Sequence, residues 1–198
     1  MATTTLKYAD ATAKLAQYRE QIAAIREQMR STQKAVEPQA VRDYEFSTPE
    51  GPVLLSGLFG QHADLIMIHN MGSSCPGCTM WADGYMGIHH HVLTRAAFVI
   101  SSPDSPDVQK QFADSRGWKF RMVSHRDTTF AADMGYCAAN GKFQPGISVF
   151  RRNGQQVVRV SDTELGPYDD FCAVWHLFDM LPDGVGDWRP KLRLPEEF

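Results

Sequence analysis

Hydrophobic positions change their period several times along this chain, and each change marks an element. Between residues 6 and 34, Tyr8, Ala11, Leu15, Tyr18, Ile22, Ile25 and Met29 step alternately by three and four. That is a heptad seam, flanked by Arg19 and Arg26 at e positions and by Gln21 and Gln28 at g positions. It predicts a helix that either packs on its own domain or forms an arm pairing with a second subunit, with Pro38 marking its end. Short apolar runs take over from there. Residues 44–46 and 53–55 flank a Pro- and Gly-containing stretch and read as a hairpin. Residues 64–70, around Leu65 to Ile68, and residues 96–101 read as buried strands. Between them a helix is expected over 76–93, weakened by Gly84 and Gly87.

The alternation continues with a helix over 107–115, Val108 and Phe112 facing inward, and a third strand over 119–123. A short helix over 128–135 follows. Residues 147–151 and 156–160 are β-rich and meet at Asn153-Gly154, a strong hairpin signal. A last helix is expected over 168–180, stopped by Pro182. Alternating strands and helices that end in a hairpin and a helix describe an α/β layer fold. The expected division is an N-terminal helical arm over 1–37, an α/β domain over 38–185 and a C-terminal tail over 186–198.

Composition narrows the picture. With 198 residues and 43% hydrophobic content the chain can bury a real core without a disulfide or metal staple. A net charge of -3 gives no footing for nucleic acid or an anionic membrane as partner. No apolar run approaches membrane-spanning length, and the first ten residues lack a basic start followed by an apolar stretch. Four cysteines are too few for a disulfide framework, so a reduced, cytoplasmic location is expected.

The chemistry centres on Cys75-Pro76-Gly77-Cys78, set between an apolar strand and a helix. In that frame a Cys-x-x-Cys pair acts as a dithiol redox centre. Pro76 suits the first helical position, which puts Cys75 at the cap, facing free N–H groups and the positive end of the helix dipole. Cys75 is then the nucleophile, and Cys78, one turn further in, is the shielded thiol that resolves a mixed disulfide. His69 could assist as a proton acceptor or stand as a core histidine with a hydrogen-bond partner. Trp81 reads as core, and Asp83 as either a surface carboxylate or a proton acceptor for the resolving thiol. Consecutive His89, His90 and His91 cannot share one ion on a helix, so no metal site is expected. Cys137 and Cys172 are expected to be inert.

From about residue 44 to 182 the chain resembles the thioredoxin superfamily, and within it the thioredoxin-like family known as domain of unknown function number 899. The likeness is carried by His69-Asn-Met71, the Cys75–Cys78 motif, Trp81-Ala-Asp-Gly84, Arg116-Gly-Trp118, Val123-Ser124, Pro145 to Phe150 and Leu177 to Pro182. It implies a three-layer thioredoxin-like fold with a central mixed sheet, an extra N-terminal helix and a thiol–disulfide role. It further implies that Pro145 is cis, the alternative being the trans state commoner for X-Pro bonds, and that the Gln144–Pro145 loop, with Pro76 and Gly77, positions the substrate. The substrate would be a disulfide-containing protein or a small thiol, and electrons would come from a thiol reductant system without a bound cofactor. Independently of the resemblance, pairing of the N-terminal helix, the alternative to its packing on its own domain, would make a homodimer.

The chain departs from thioredoxin in its Pro-Gly dipeptide, in Gly146 after the proline and in Ser73-Ser74 where a tryptophan usually precedes the first cysteine. Pro76 to Thr79 and Ile100 to Asp107 also resemble peroxiredoxins of the bacterioferritin-comigratory type. On that likeness Cys78 would be the peroxidatic thiolate, although Cys75 fills the place of their peroxide-binding Thr or Ser. A peroxiredoxin-like thiol peroxidase and a redox-inactive binding module are therefore the alternatives.

Overall fold

The computed structural model describes residues 5–193 and divides into two compact units, Met1–Glu37 and Pro38–Phe198. The first is built on α1 (Tyr8–Lys34), a single helix of 27 residues with no buried residue. Its seam residues Leu15, Ile22, Ile25 and Met29 are all exposed.

The second unit is an eight-stranded mixed sheet. Its strands are β1 (Gln39–Val41), β2 (Glu45–Thr48), β3 (Gly51–Leu54), β4 (Asp64–His69), β5 (Ala97–Ser102), β6 (Arg121–Ser124), β7 (Gly146–Asn153) and β8 (Gln156–Glu164). They run across the sheet in the order β1-β8-β7-β4-β5-β6-β2-β3. β4 lies parallel to β5 and antiparallel to β7, and β5 lies parallel to β6. The helices of this unit are α2 (Pro76–Met86), α3 (His89–Val92), α4 (Pro106–Arg116), α5 (Phe130–Asp133) and α6 (Ala173–Phe178).

Strand parity sorts the core. Leu65 and Met67 of β4, with Ala97 and Val99 of β5, join one cluster with Phe130 and Phe150. Ile66 and Ile68, with Phe98 and Ile100, join the other with Trp81 and Tyr85 of α2 and Trp175 of α6. Adjacent residues of a strand point to opposite faces, so these two clusters are the two sides of the sheet. This layering is that of a thioredoxin-like fold.

Three expectations need correction. The helix expected over 76–93 is broken into α2 and α3, because Gly87 ends the first. On α4, Val108 is exposed and Gln109 takes the inward place, its amide nitrogen donating to Ser102 Oγ at 2.8 Å and to the Val123 carbonyl at 2.9 Å. The helix expected over 168–180 shrinks to Ala173–Phe178. Tyr168 has φ 70°, and the Asp169 carboxylate accepts from the Gly166 and Phe171 N–H groups, which commits residues 166–171 to a turn. β1, unforeseen from the sequence, pairs with β8 at the sheet edge. Trp188, three residues past the domain boundary read from the sequence, still packs against Trp175 and Phe178.

Candidate active site

The loop between β4 and α2 is tied down residue by residue. Asn70 N–H donates to the Ser101 carbonyl at 2.8 Å, so β4 keeps its register with β5 one residue past its end. The Asn70 side chain accepts from Gly72 N–H at 2.7 Å, and Asp104, just after β5, accepts from Ser73 N–H at 2.6 Å. Gly72 sits at φ 106°, and a Cβ there would lie 3.1 Å from the Asp104 carboxylate. The backbone angle favours glycine, and the carboxylate leaves little room for a side chain.

That loop delivers Cys75 to the N-cap of α2, with Pro76 at the start of the helix. Cys78 N–H donates to Cys75 Sγ at 3.1 Å, and Met71 N–H donates to Cys78 Sγ at 3.4 Å. Cys75 is half-buried and Cys78 buried, and both are free thiols. The Cys78 thiol, by donating to Cys75, draws the Cys75 pKa down to about 7. Burial opposes that shift, and the Cys78 and Gly77 N–H groups add to it. The same hydrogen bond, together with burial, pushes the Cys78 thiol far up. One thiol is thus poised to be a thiolate near neutral pH while its neighbour holds the proton.

The structure brings only some of the sequence-predicted residues to this place. Pro76, Gly77, Trp81 and Pro145 share one cavity wall with Cys75. Trp81 stacks close over Gly77, 3.3 Å from where a Cβ would be. Gln144 is exposed and uses its N–H on the Tyr136 carbonyl at 2.8 Å. The bond before Pro145 is trans, as no cis peptide is found among the described residues, which corrects the cis expectation. The Gln144 N–H and the Pro145 carbonyl, which accepts from Leu165 N–H, are both held by neighbours, and trans is the commoner state of such bonds.

His69 does not join the thiols. It shares the face of Leu65 and Met67, stacks on Tyr136 with ring centroids 3.9 Å apart, and its Nε2 pairs with Ser148 Oγ at 2.9 Å. Burial, with the nearby His125 and Arg159, holds its pKa well below the ordinary value, so it stands as a neutral core histidine. Asp83 is committed elsewhere: it pairs with Arg116 and accepts from Trp118 Nε1 at 2.8 Å. Cys137 lies in a bridge with Phe143, and burial raises the pKa of Cys172 in the α2 and α6 cluster. Among the described residues no group of three or more His, Cys, Asp or Glu side chains could hold a metal ion. No helix there is long and apolar enough to cross a membrane.

Sequence reasoning missed Asp104 and the aromatic wall opposite Cys75. That wall is made by Tyr168, Trp175 and Trp188, and encloses a cavity of 560 Å³. Trp188 and the Trp81-to-Pro145 side meet only in three dimensions, and no spacing in the chain announces it.

Several solved structures that share this architecture are peroxiredoxins or peroxiredoxin-like proteins. A peroxiredoxin-like protein from Aquifex aeolicus is 13% identical, with a TM-score of 0.54 over 65% of this chain and 75% of its own. Reduced Prx3 from Vibrio vulnificus is 15% identical, with a TM-score of 0.53 over 68% and 89%. Peroxidoxin BcpB from Mycobacterium tuberculosis is 24% identical, with a TM-score of 0.52 over 64% and 84%. At these identities the likeness establishes the thioredoxin fold. None of the curated proteins matches the chain. A sequence family described as bacterial protein of unknown function, DUF899, matches residues 4–193, and the chain belongs to that thioredoxin-like family.

Proposed function

We propose that this protein is a thiol–disulfide oxidoreductase in which Cys75 attacks and Cys78 resolves. The observation that carries this reading is the asymmetry of the pair: an accessible sulfur at a helix cap with its pKa near 7, beside a buried one that keeps its proton. The Cys75 thiolate attacks one sulfur of a substrate disulfide; a Cys75–substrate bond forms and the first substrate thiolate leaves. With the charge on Cys75 gone, the main cause of the raised Cys78 pKa goes with it, while the Met71 N–H remains to favour a Cys78 thiolate. Cys78 passes its proton to the departing thiolate and attacks Cys75. The second substrate thiolate leaves, and the enzyme holds a Cys75–Cys78 disulfide. The substrate has gained two electrons, and a thiol reductant restores the pair.

Reversible closure of the pair in dithiothreitol or glutathione redox buffers, read by alkylation and peptide mass at Cys75 and Cys78, is the expected result. A pair that never closes sinks the reading. A peroxidase reading draws on the same fold, yet its thiolate would be Cys78, the buried sulfur with the raised pKa. Consumption of hydrogen peroxide that survives Cys75→Ser and is lost in Cys78→Ser would favour the peroxidase.

A further inference from the structure

The cavity beside Cys75 has the size and lining of a small-molecule site. Its 560 Å³ lies within the ~300–1,000 Å³ typical of ligand pockets. Trp81, Trp175, Trp188 and Tyr168 give its wall four aromatic rings, and Cys75 is part of that wall. Two of the tryptophans brace each other: Trp175 packs against Tyr168 at 5.5 Å and against Trp188 at 5.8 Å, and Phe178 backs Trp188 at 4.9 Å. Such a set is a rigid aromatic receptacle and not a passing gap between side chains. The only charged side chain among the described lining is Arg189, an exposed residue whose Nη1 donates to the Trp188 carbonyl, one of the five N–H donors a guanidinium carries.

We propose that the substrate is a small organic disulfide with an aromatic or branched apolar body and an anionic group, in preference to a protein disulfide. This rests on the thiol–disulfide reading above. The apolar body fills the tryptophan receptacle, the anionic group meets Arg189, and one sulfur is presented to Cys75. Electrons flow as in the scheme already given: two pass from Cys75 and Cys78 to the substrate, which leaves as two thiols.

The test uses the full-length reduced protein and four probes: dithiobis-nitrobenzoate (aromatic and anionic), dipyridyl disulfide (aromatic and neutral), hydroxyethyl disulfide (small and polar) and insulin. Each rate is divided by that of the same probe with mercaptoethanol, which removes intrinsic reactivity. The normalised rates should fall in the order given. Trp188→Ala should slow both aromatic probes by about fivefold, and the polar probe by less. Arg189→Gln should lower the anionic-to-neutral ratio by about threefold, as should high salt on the wild type. Arg189 is exposed, so its variant serves even where Trp188→Ala fails to fold. Equal normalised rates across the small probes, or insulin reduced as fast as the aromatic ones, overturns the inference while the closing pair keeps the oxidoreductase reading. A pair that no probe closes overturns both.

Discussion

Cys75 and Gly146 show what single residues decide. The pKa of Cys75, drawn down to about 7 chiefly by the Cys78 thiol, makes its reaction with iodoacetamide fall about tenfold for each pH unit below 7. Cys78→Ala removes that hydrogen bond and should move the midpoint upward. A wild-type midpoint at the ~8.5 of a free cysteine would count against the hydrogen bond from Cys78. Gly146 stands where thioredoxin has threonine because Tyr136 occupies the space: a Cβ would run into its ring and lie 2.8 Å from the Thr163 carbonyl. Tyr136 cannot step aside, since its hydroxyl donates toward the Ile147 and Thr163 carbonyls and its ring lies on His69. Gly146→Ala should cost about 1–3 kcal/mol in urea unfolding, the range for overpacking, and no loss would mean the ring is free to move. The thiol cap was legible in the sequence because a cap depends on four consecutive residues. The partners of the preceding loop were not, since Asp104 reaches Ser73 only once β4 and β5 lie side by side.

At the scale of elements, Asp83 fastens α2 to the end of α4 through Arg116 and Trp118. Asp83→Ala leaves a part-buried guanidinium and an indole N–H without their acceptor, and should cost about 1–3 kcal/mol of stability. The pH profile of Cys75 alkylation should stay in place in that variant; a downward shift, as follows when a carboxylate facing a thiol is removed, would return Asp83 to the thiols. Long, periodic or punctuated segments were legible: α1, the two central strands and the Asn-Gly hairpin. Segments whose side chains prefer a local bond were not. The apolar spacing from 168 onward suggests a helix, yet Asp169 holds residues 166–171 in a turn, and the helix waits until Ala173. β1 has three residues and little burial, so it offers no alternation to detect.

On the scale of the whole molecule, two buried histidines couple the fold to acidity. His125 pairs through Nδ1 with Ser101 Oγ at 2.7 Å, and burial brings its pKa down to about 4; His69 is shifted the same way. Both bind a proton more readily in the unfolded chain, near pH 6.5, than in the folded one. Their contribution is therefore complete above about pH 6.5 and declines as the pH falls toward 4, by up to about 1.4 kcal/mol per pH unit for each. Urea midpoints should drop between pH 7.5 and 5; a level profile would place these rings in contact with water. The hydrogen bond from Cys78 N–H to Cys75 Sγ has an electrochemical consequence as well. A thiolate acceptor disappears when the pair closes, so the bond favours the dithiol and makes the couple a stronger oxidant. Below the Cys75 pKa, closure releases two protons with two electrons, and the midpoint potential falls about 59 mV per pH unit. Above it only Cys78 has a proton to give, and the slope halves to about 30 mV. A bend in the potential–pH line near 7 is how the hydrogen bond between the two thiols would register at an electrode.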